Sequence, residues 1–589
     1  MNWINYKLRV TLKAPFLIPG THVTGFAEDV SQMRNAKGDA IIPGDLVKGL
    51  MRHATLHLEQ VTGQTDLCEK WFGQGAKAEL GELRGRVIVS DLVAITEPAT
   101  GESITPHYTR VSISSETGAA KPGHLQTLEH AYPPGQEVVF LGTLAMLTER
   151  EDDIEWIEKA LRLIPAMGAN KSSGYGEVIR TELVVQDEDP RTNHRSALGD
   201  ISSDSVTLRI RFDRPIMVDS ERIAGNIFRS HSIIPGSVLK GALASALLET
   251  GQLNQLPSDL EKIRFGFAYP GQVDDENKVV YQRPPLPMSL MVHPKDAEII
   301  CDAIDPDRYD SRPFLLNNEI PTPLHKSKKR NHKKSLAKLG IVSPETPTEV
   351  RTRTAISATS NSADSGSLFS YQMIRHEGLH WLVDIERNGA DPLAFQTIIQ
   401  TLLRGLPRVG KTEASATIDL YDHHDERIRH KNPPEFIEDR IVVQLLTPAI
   451  MIDPDFEDVS QAGIIGEYQS YWENALGKGN VTLHHVFSEQ RLVGSFQAYQ
   501  YRFRQSDDHY FPYVLTEAGS VFVLQCDTSV RAKLAAFGDN NLPLPDWAKT
   551  GMNNGRILCP FVGENGFGKI LFNPARSLPL GDRKEVHYV

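Results

Sequence analysis

Three stretches of this chain share one pattern of apolar and polar positions: KLRVTLKAPFLI from Lys7, TLRIRFDRPIMV from Thr207 and RIVVQLLTPAIM from Arg440. With Pro15, Pro215 and Pro448 superposed, Leu8, Val10 and Leu12 fall on Leu208, Ile210 and Phe212, and on Ile441, Val443 and Leu445. Alternation with a period of two predicts a strand with one buried face. The proline, which has no N–H to donate, marks where the ladder ends. Three strand starts of one design predict three related modules.

The modules also close alike. LRLIPAMGANKSSGYGEVI runs from Leu161, LRGLPRVGKTEASATI from Leu403 and FVGENGFGKI from Phe561. The first two align on Pro165 with Pro407 and Gly168 with Gly410, and the first and third share Gly174-Tyr175-Gly176 and Gly566-Phe567-Gly568. WIEKALRLI, before the first loop, has helical spacing. Two modules carry a further landmark, IIPGDLVKGLMRHA from Ile41 and IIPGSVLKGALASA from Ile233, and the third has none. Proline-glycine makes the turn, and Asp45 or Ser237 is expected to cap the helix that follows. Polar stretches at 186–205 and 423–436 read as linkers. The modules are then 1–190, 200–425 with a basic insertion at about 300–350, and 435–589. Strand, turn, helix, strands, helix, glycine loop, strand predicts an α+β protein of tandem ferredoxin-like or RRM-like modules with insertions.

Composition narrows the class. At 589 residues the chain is too long for one core. No apolar stretch is long enough to span a membrane, and the start lacks the pattern of a signal peptide. Four scattered cysteines with no CxxC pair argue against a zinc site or disulfide framework and suit a reducing cytoplasm. The net charge of −12 does not advertise nucleic-acid binding, so any phosphate contact must come from local patches. The glycine loops fit neither GxxxxGK[ST] nor GxGxxG after a strand, which disfavours a nucleotide-binding enzyme.

The pairing of IPGxxxKG with a terminal GxNxxxGYGxV loop resembles the RAMP superfamily, subunits that build CRISPR–Cas effector complexes on a guide RNA. Residues 1–190 are similar to a type III backbone subunit. Residues 200–585 are similar to the cap subunit of type III-D systems, on IIPGSVLKGALASALL, RFGFAYP, PPLPMSL, RTAISATSNSADSGSLFSYQMI, LVGSF and AGSVFVL. The second loop, GKTEASAT, lacks Gly-aromatic-Gly, and a double-backbone fusion stays open as a non-catalytic scaffold. The partners implied are a guide RNA (crRNA), target RNA and other effector subunits, in the cytoplasm.

A glycine loop lets backbone approach phosphate and can form an anion nest, or it is simply a tight turn. Recurrence favours the first reading for Gly168, Asn170, Lys171, Ser172, Ser173, Gly174, Tyr175 and Gly176, and for Gly563, Asn565, Gly566, Phe567 and Gly568. Tyr175 is placed to stack on a base. Helix N-termini suit phosphate, and the resemblance carries Lys48, Arg52 and Lys240 over as RNA contacts; the alternative is lysines facing solvent. Arg351 and Arg353 are expected guide contacts. The run His325–Lys338, with seven Lys or Arg and two His, either grips RNA or is a solvated charge run.

The resemblance further implies metal-dependent cleavage of target RNA, with the ribose 2′-OH as nucleophile and an aspartate upstream of IPG. Asp29, five residues before Arg34, matches best, and Glu28 serves if the alignment slips by one. Asp29 would then hold a divalent ion, Mg or Mn, or orient the hydroxyl. Otherwise it is a solvated loop acid. Asp219 is discounted, because Pro215 and Pro235 enclose a shorter loop. A standalone guide-precursor endonuclease would need a histidine-centred acid/base set, for which His53 is the candidate.

Overall fold

The computed structural model describes the chain apart from residues 21–28, 74–83, 100–106, 187–202, 219–220, 225, 253–257, 274–278, 282–284, 328, 340, 342–344, 357–362, 422–432, 459, 494–512, 550–551, 554–555, 558, 575–577, 579, 581–585 and 589. Glu28, Asp219 and most of both linker stretches therefore lie outside the described residues.

One βαββαβ plan occurs three times. The first copy comprises β1 (Asn2–Lys13), α1 (Gly44–Thr62), β2 (Val87–Val89), β3 (Glu137–Thr148), α2 (Ile154–Arg162) and β4 (Glu177–Val185). The second comprises β5 (Ser205–Phe212), α3 (Gly236–Glu249), β6 (Arg264–Phe265), β7 (Leu379–Glu386), α4 (Pro392–Leu403) and β8 (Ala414–Leu420). The third comprises β9 (Arg440–Leu445), α5 (Gln461–Leu476), β10 (Val481–Phe487), β11 (Val521–Cys526), α6 (Arg531–Asn540) and β12 (Ile570–Phe572).

In each sheet the strand before the proline is central. The orders are β4-β1-β3-β2, β8-β5-β7-β6 and β12-β9-β11-β10, antiparallel throughout. This is the ferredoxin-like arrangement. The nine aligned apolar positions are all buried, Phe212 being the most exposed at 7%. Each such side chain contributes about 1.5–3 kcal/mol on leaving water. A helix pair covers one face of each sheet: Val47, Met51 and Ala54 meet Ile157, Ala160 and Leu161 in the first module, and Tyr468, Trp472 and Leu476 meet Leu534 and Phe537 in the third.

Both IPG helices begin directly after proline. Pro43 and Pro235 are extended, and neither helix has a side-chain cap, so Asp45 and Ser237 are first-turn residues rather than the expected caps. An acceptor from outside serves α1 instead, since Gly44 donates its N–H to Asp91 Oδ1 at 2.9 Å. In the third module Ser460 caps α5 through Gly463 N–H at 3.2 Å.

Two additions to this plan matter below. A hairpin of His107–Ile113 and Ala120–Glu129 projects from module one. A four-stranded sheet in module two includes Ile227–Arg229, Thr348–Ile356 and Ala363–Ile374. The basic run is not a structureless charge run. Lys329–Lys338 is helical, with Ser335 and Leu339 buried and Lys333, Lys334 and Lys338 exposed.

Candidate nucleic-acid interface

Each glycine loop crosses the run that follows its module's proline. Ala169 and Gly176 donate to Leu17 O and Pro15 O at 2.7 and 2.8 Å, Lys411 donates to Met217 O at 2.8 Å, and Gly568 donates to Pro448 O at 2.9 Å. The crossing leaves no room for a Cβ. One built at Gly168 would lie 2.4 Å from Leu17 O, at Gly410 2.5 Å from Met217 O, and at Gly176 1.9 Å from Met167 O.

The turns themselves are short 3-10 helices at Lys171–Ser173 and Gly563–Asn565. Their amides face inward: Ser173 donates to Asn170 O, Gly174 to Lys171 O, and Gly566 to Gly563 O, at 2.9–3.0 Å. Those three amides are therefore turned away from the expected anion nest. Glycine serves close backbone packing here, and these N–H groups already have partners.

Tyr175 and Phe567 also depart from expectation. Tyr175 is 7% exposed, packs on Leu17 and Leu128, and shares a hydrogen bond with His130 Nε2 at 2.9 Å. Burial pushes its phenol above the usual range and the His130 imidazolium below its usual value. Phe567 is 6% exposed, edge-on to Phe267 and Phe561 at 5.0 and 5.2 Å. Asn565 Nδ2 donates to Pro560 O at 2.7 Å. Neither ring presents a face for stacking.

The IPG helices face the next module. Lys48 Nζ pairs with Glu413 of the second glycine loop at 3.0 Å. Burial opposes ionisation of Glu413, but Lys48 and Arg408 hold its carboxyl below the usual range. Arg214 donates to Val89 O at 2.6 Å, and Arg84 to Ser245 Oγ at 2.8 Å. Arg351 is a strut of the same seam: its Nη1 and Nη2 lie 3.1 and 2.6 Å from the Asp91 carboxylate, and its Nε bonds Glu349. With a side chain 7% exposed, Arg351 has no open face for a guide, which corrects that expectation.

The second seam repeats the first. α3 begins against the third glycine loop, where a Cβ on Gly236 would meet Asn565 O at 2.9 Å and one on Gly566 would meet Phe265 O at 2.7 Å. Arg264 Nη1 donates to Asp539 O at 2.7 Å. Lys240 Nζ is held by Glu261 O and Ile263 O at 3.3 and 3.1 Å, and burial brings its ammonium down to about 8 against the pull of Glu564 and Glu261. Lys48 is thus a seam lysine, whereas Lys240 is held by carbonyls of its own module. Arg52 lies beside the Cys68 thiol, which burial pushes up.

What remains open lies elsewhere. On module one, Tyr108 is 50% exposed and stacks on His130 at 5.4 Å and 8°, and Arg110, at the same end of the hairpin, is half-buried. Lys121 and His124 are exposed further along it. Asp29 sits at the hairpin base: its N–H reaches Thr127 O at 2.9 Å and its Oδ2 accepts Thr127 N–H at 2.7 Å. Arg34 turns to Glu129 rather than toward Asp29. Among the described residues no group of three His, Cys, Asp or Glu could hold a metal. On module two, Arg353 lies 5.1 Å over the Tyr371 ring while pairing with Asp45, Lys411 lies 5.3 Å over Phe228, and Arg229 is exposed. Sequence reasoning singled out Arg353 alone of this set. The alternation of ring and charge in HYTRVSI was the available signal for the hairpin.

Residues 9–179, most of the first module, match the family model described as the RAMP superfamily. No curated protein matches the chain. Among solved structures, one similar chain comes from the type III-B Cmr-beta bound to cognate target RNA, with 19% identity, TM-score 0.23, and coverage of 31% of this chain and 61% of that one, under two thirds of its length. Another comes from the type III-B Cmr-beta bound to cognate target RNA and AMPPnP, with 13% identity, TM-score 0.29, and coverage of 59% and 90%. Among the described residues no helix is long and apolar enough to cross a membrane.

Proposed function

We propose that this chain is a guide-RNA-binding subunit of a CRISPR type III effector complex, working with crRNA, target RNA and neighbouring subunits. The RAMP match at residues 9–179 carries the reading. The module-one hairpin supports it: two exposed strands without a third are marginal alone, and this pair offers Tyr108, Arg110, Lys121 and His124 to a partner. An aromatic ring among cations suits a single strand, because rings stack on bases of any sequence while cations track phosphate. The Arg353–Tyr371 and Lys411–Phe228 pairs extend the same chemistry onto module two. Residues 200–585 act in this reading as the III-D-like cap that holds the 5′ handle.

Nucleic acid extracted from the purified complex tests the class. A uniform small RNA with repeat-derived ends is expected, and absence of RNA would sink the proposal. Arg110→Ala with Lys121→Ala should weaken RNA binding across sequences. The slope of log affinity against log salt should fall by about 0.7 for each phosphate that is no longer neutralised.

Cleavage is the finer part of the proposal. Asp29 orients the ribose 2′-OH of the target strand for in-line attack on the adjacent phosphate, with no step routed through a metal. Asp29→Ala should leave RNA retention unchanged and abolish cleavage of complementary RNA. An unchanged product pattern would remove Asp29 from the mechanism. A second reading rests on the His53–His57 pair, whose Nε2 atoms lie 3.2 Å apart on the exposed side of α1. Cutting of guide precursor by the purified chain alone would favour it.

A further inference from the structure

We propose that His53 and His57 of α1 form a binding site for a divalent transition metal of the zinc class. The site goes beyond the RNA reading and is separate from the ion that Asp29 would hold. Side chains four positions apart on a helix lie on one face. Here the two Nε2 atoms converge to 3.2 Å, with the rings edge to face at 79°. An ion about 2.0–2.1 Å from each nitrogen would see an angle of about 100° between them, close to tetrahedral. Small rotations about the side-chain bonds aim both lone pairs at that point. The same spacing occurs in the zinc-binding pattern H-E-x-x-H, where the glutamate acts as the base. Ala54 takes that place here, so the pair holds a metal without metalloprotease chemistry.

The backbone beneath the pair is fixed. α1 buries Val47, Met51 and Ala54 in the module-one core, its start is tied to Asp91, and Gly63 closes its end by donating to Glu59 O at 2.9 Å. His57 is exposed and His53 half-buried, and among the described residues the two rings hydrogen-bond only to each other. Neighbouring charges are engaged elsewhere: Arg52 lies at the Cys68 thiol, and Glu59 accepts the Cys68 N–H at 2.8 Å. Without metal, one ring donates its Nε2–H to the other. Binding replaces that bond, and the proton moves to Nδ1 of the same ring or to solvent. Imidazole nitrogens suit zinc, nickel and copper, whereas magnesium and manganese prefer oxygen. No third protein ligand stands near among the described residues, so the remaining positions go to water or an incoming donor.

Calorimetric titration of zinc chloride into the untagged full chain tests the site. His53→Ala and His57→Ala should each weaken binding of one ion at least about tenfold, since even outer-shell partners of a metal are worth that much. The double variant should lose no more than either single one, because both rings serve one ion. His484→Ala is the control: its ring is committed to Gln525, and zinc binding should match the parent chain. Copper(II) gives a spectroscopic readout. Its paramagnetic resonance spectrum should show coupling to two imidazole nitrogens in the parent chain and to fewer in either variant. His57 is exposed, so His57→Ala should melt unchanged in EDTA and decides the matter even where His53→Ala melts early. Equal zinc binding by the parent chain and His57→Ala, a copper spectrum indifferent to both substitutions, or displacement of zinc by equimolar magnesium would each overturn the proposal. Since the readout is the metal, absence of RNA from the preparation would refute the RNA reading and leave this test intact.

Discussion

Arg351→Ala is expected to lower stability by about 3–5 kcal/mol and to uncouple the first two modules, because it removes the salt-bridge partner of Asp91 and leaves Glu349 with Arg375 alone at 3.8 Å. Asp91 and Glu349 are 12% and 7% exposed at the side chain, and both lean on this one guanidinium. Asp91→Ala should cost a similar amount, since it orphans Arg351 and leaves the Gly44 N–H at the start of α1 without its acceptor. Because each single change removes the same pair, their effects should not add. The double variant should lose less than the sum, and the double-mutant cycle measures the coupling. Calorimetry on the full chain is the readout, with an early transition for module one separating from the rest. Two fully additive losses would show that the pair is not the joint.

The same pair sets an acid limit. Burial raises the Asp91 carboxyl, but the Arg351 guanidinium, the Gly44 N–H and Arg214 bring it down to about 2. An unfolded aspartate titrates near about 3.9. The depressed group contributes stability that is fully present above about pH 4 and is lost as pH falls through about 2, on the order of 2–3 kcal/mol. Asp91→Asn should flatten that part of the acid-unfolding curve.

The strands were legible because alternation needs only local information: Leu8, Val10 and Leu12 declare their buried face without any partner in view. The seams were not. Lys48 and Glu413 lie 365 positions apart, and nothing near either residue names the other. Asp91 follows a fully buried VIV strand and reads as an ordinary loop acid until Arg351 arrives from another module. The glycine loops were found but not their packing role, since a glycine that admits a phosphate and one that admits a carbonyl look identical in sequence. The hairpin 107–129 went unseen because neither face is buried along most of its length, so period two left no apolar stripe. In the basic run, the weight of charge hid the buried Ser335, four residues before the buried Leu339 that follows the helix.

Gly176→Ala separates the two uses of a glycine loop. Its Cβ would fall 1.9 Å from Met167 O at a φ of +70°, so the two sides of the loop must part to admit it. The expected loss is at least about 3 kcal/mol, on the scale of severe backbone conflicts. For a module of this size that is a fall in Tm on the order of 10 °C. Gly174→Ala is the matched comparison: φ is +81°, but no described atom lies within 4 Å, so only the left-handed strain of about 1–2 kcal/mol applies. A packing role makes the first variant unstable at every RNA concentration and leaves the second nearly intact. A phosphate cradle would do the reverse, because Gly174 lies on the exposed turn and Gly176 beneath it. If Gly176→Ala keeps its Tm and Gly174→Ala loses RNA, the amides are reaching phosphate after all, and the inward pairing of this loop is not what glycine is there to permit.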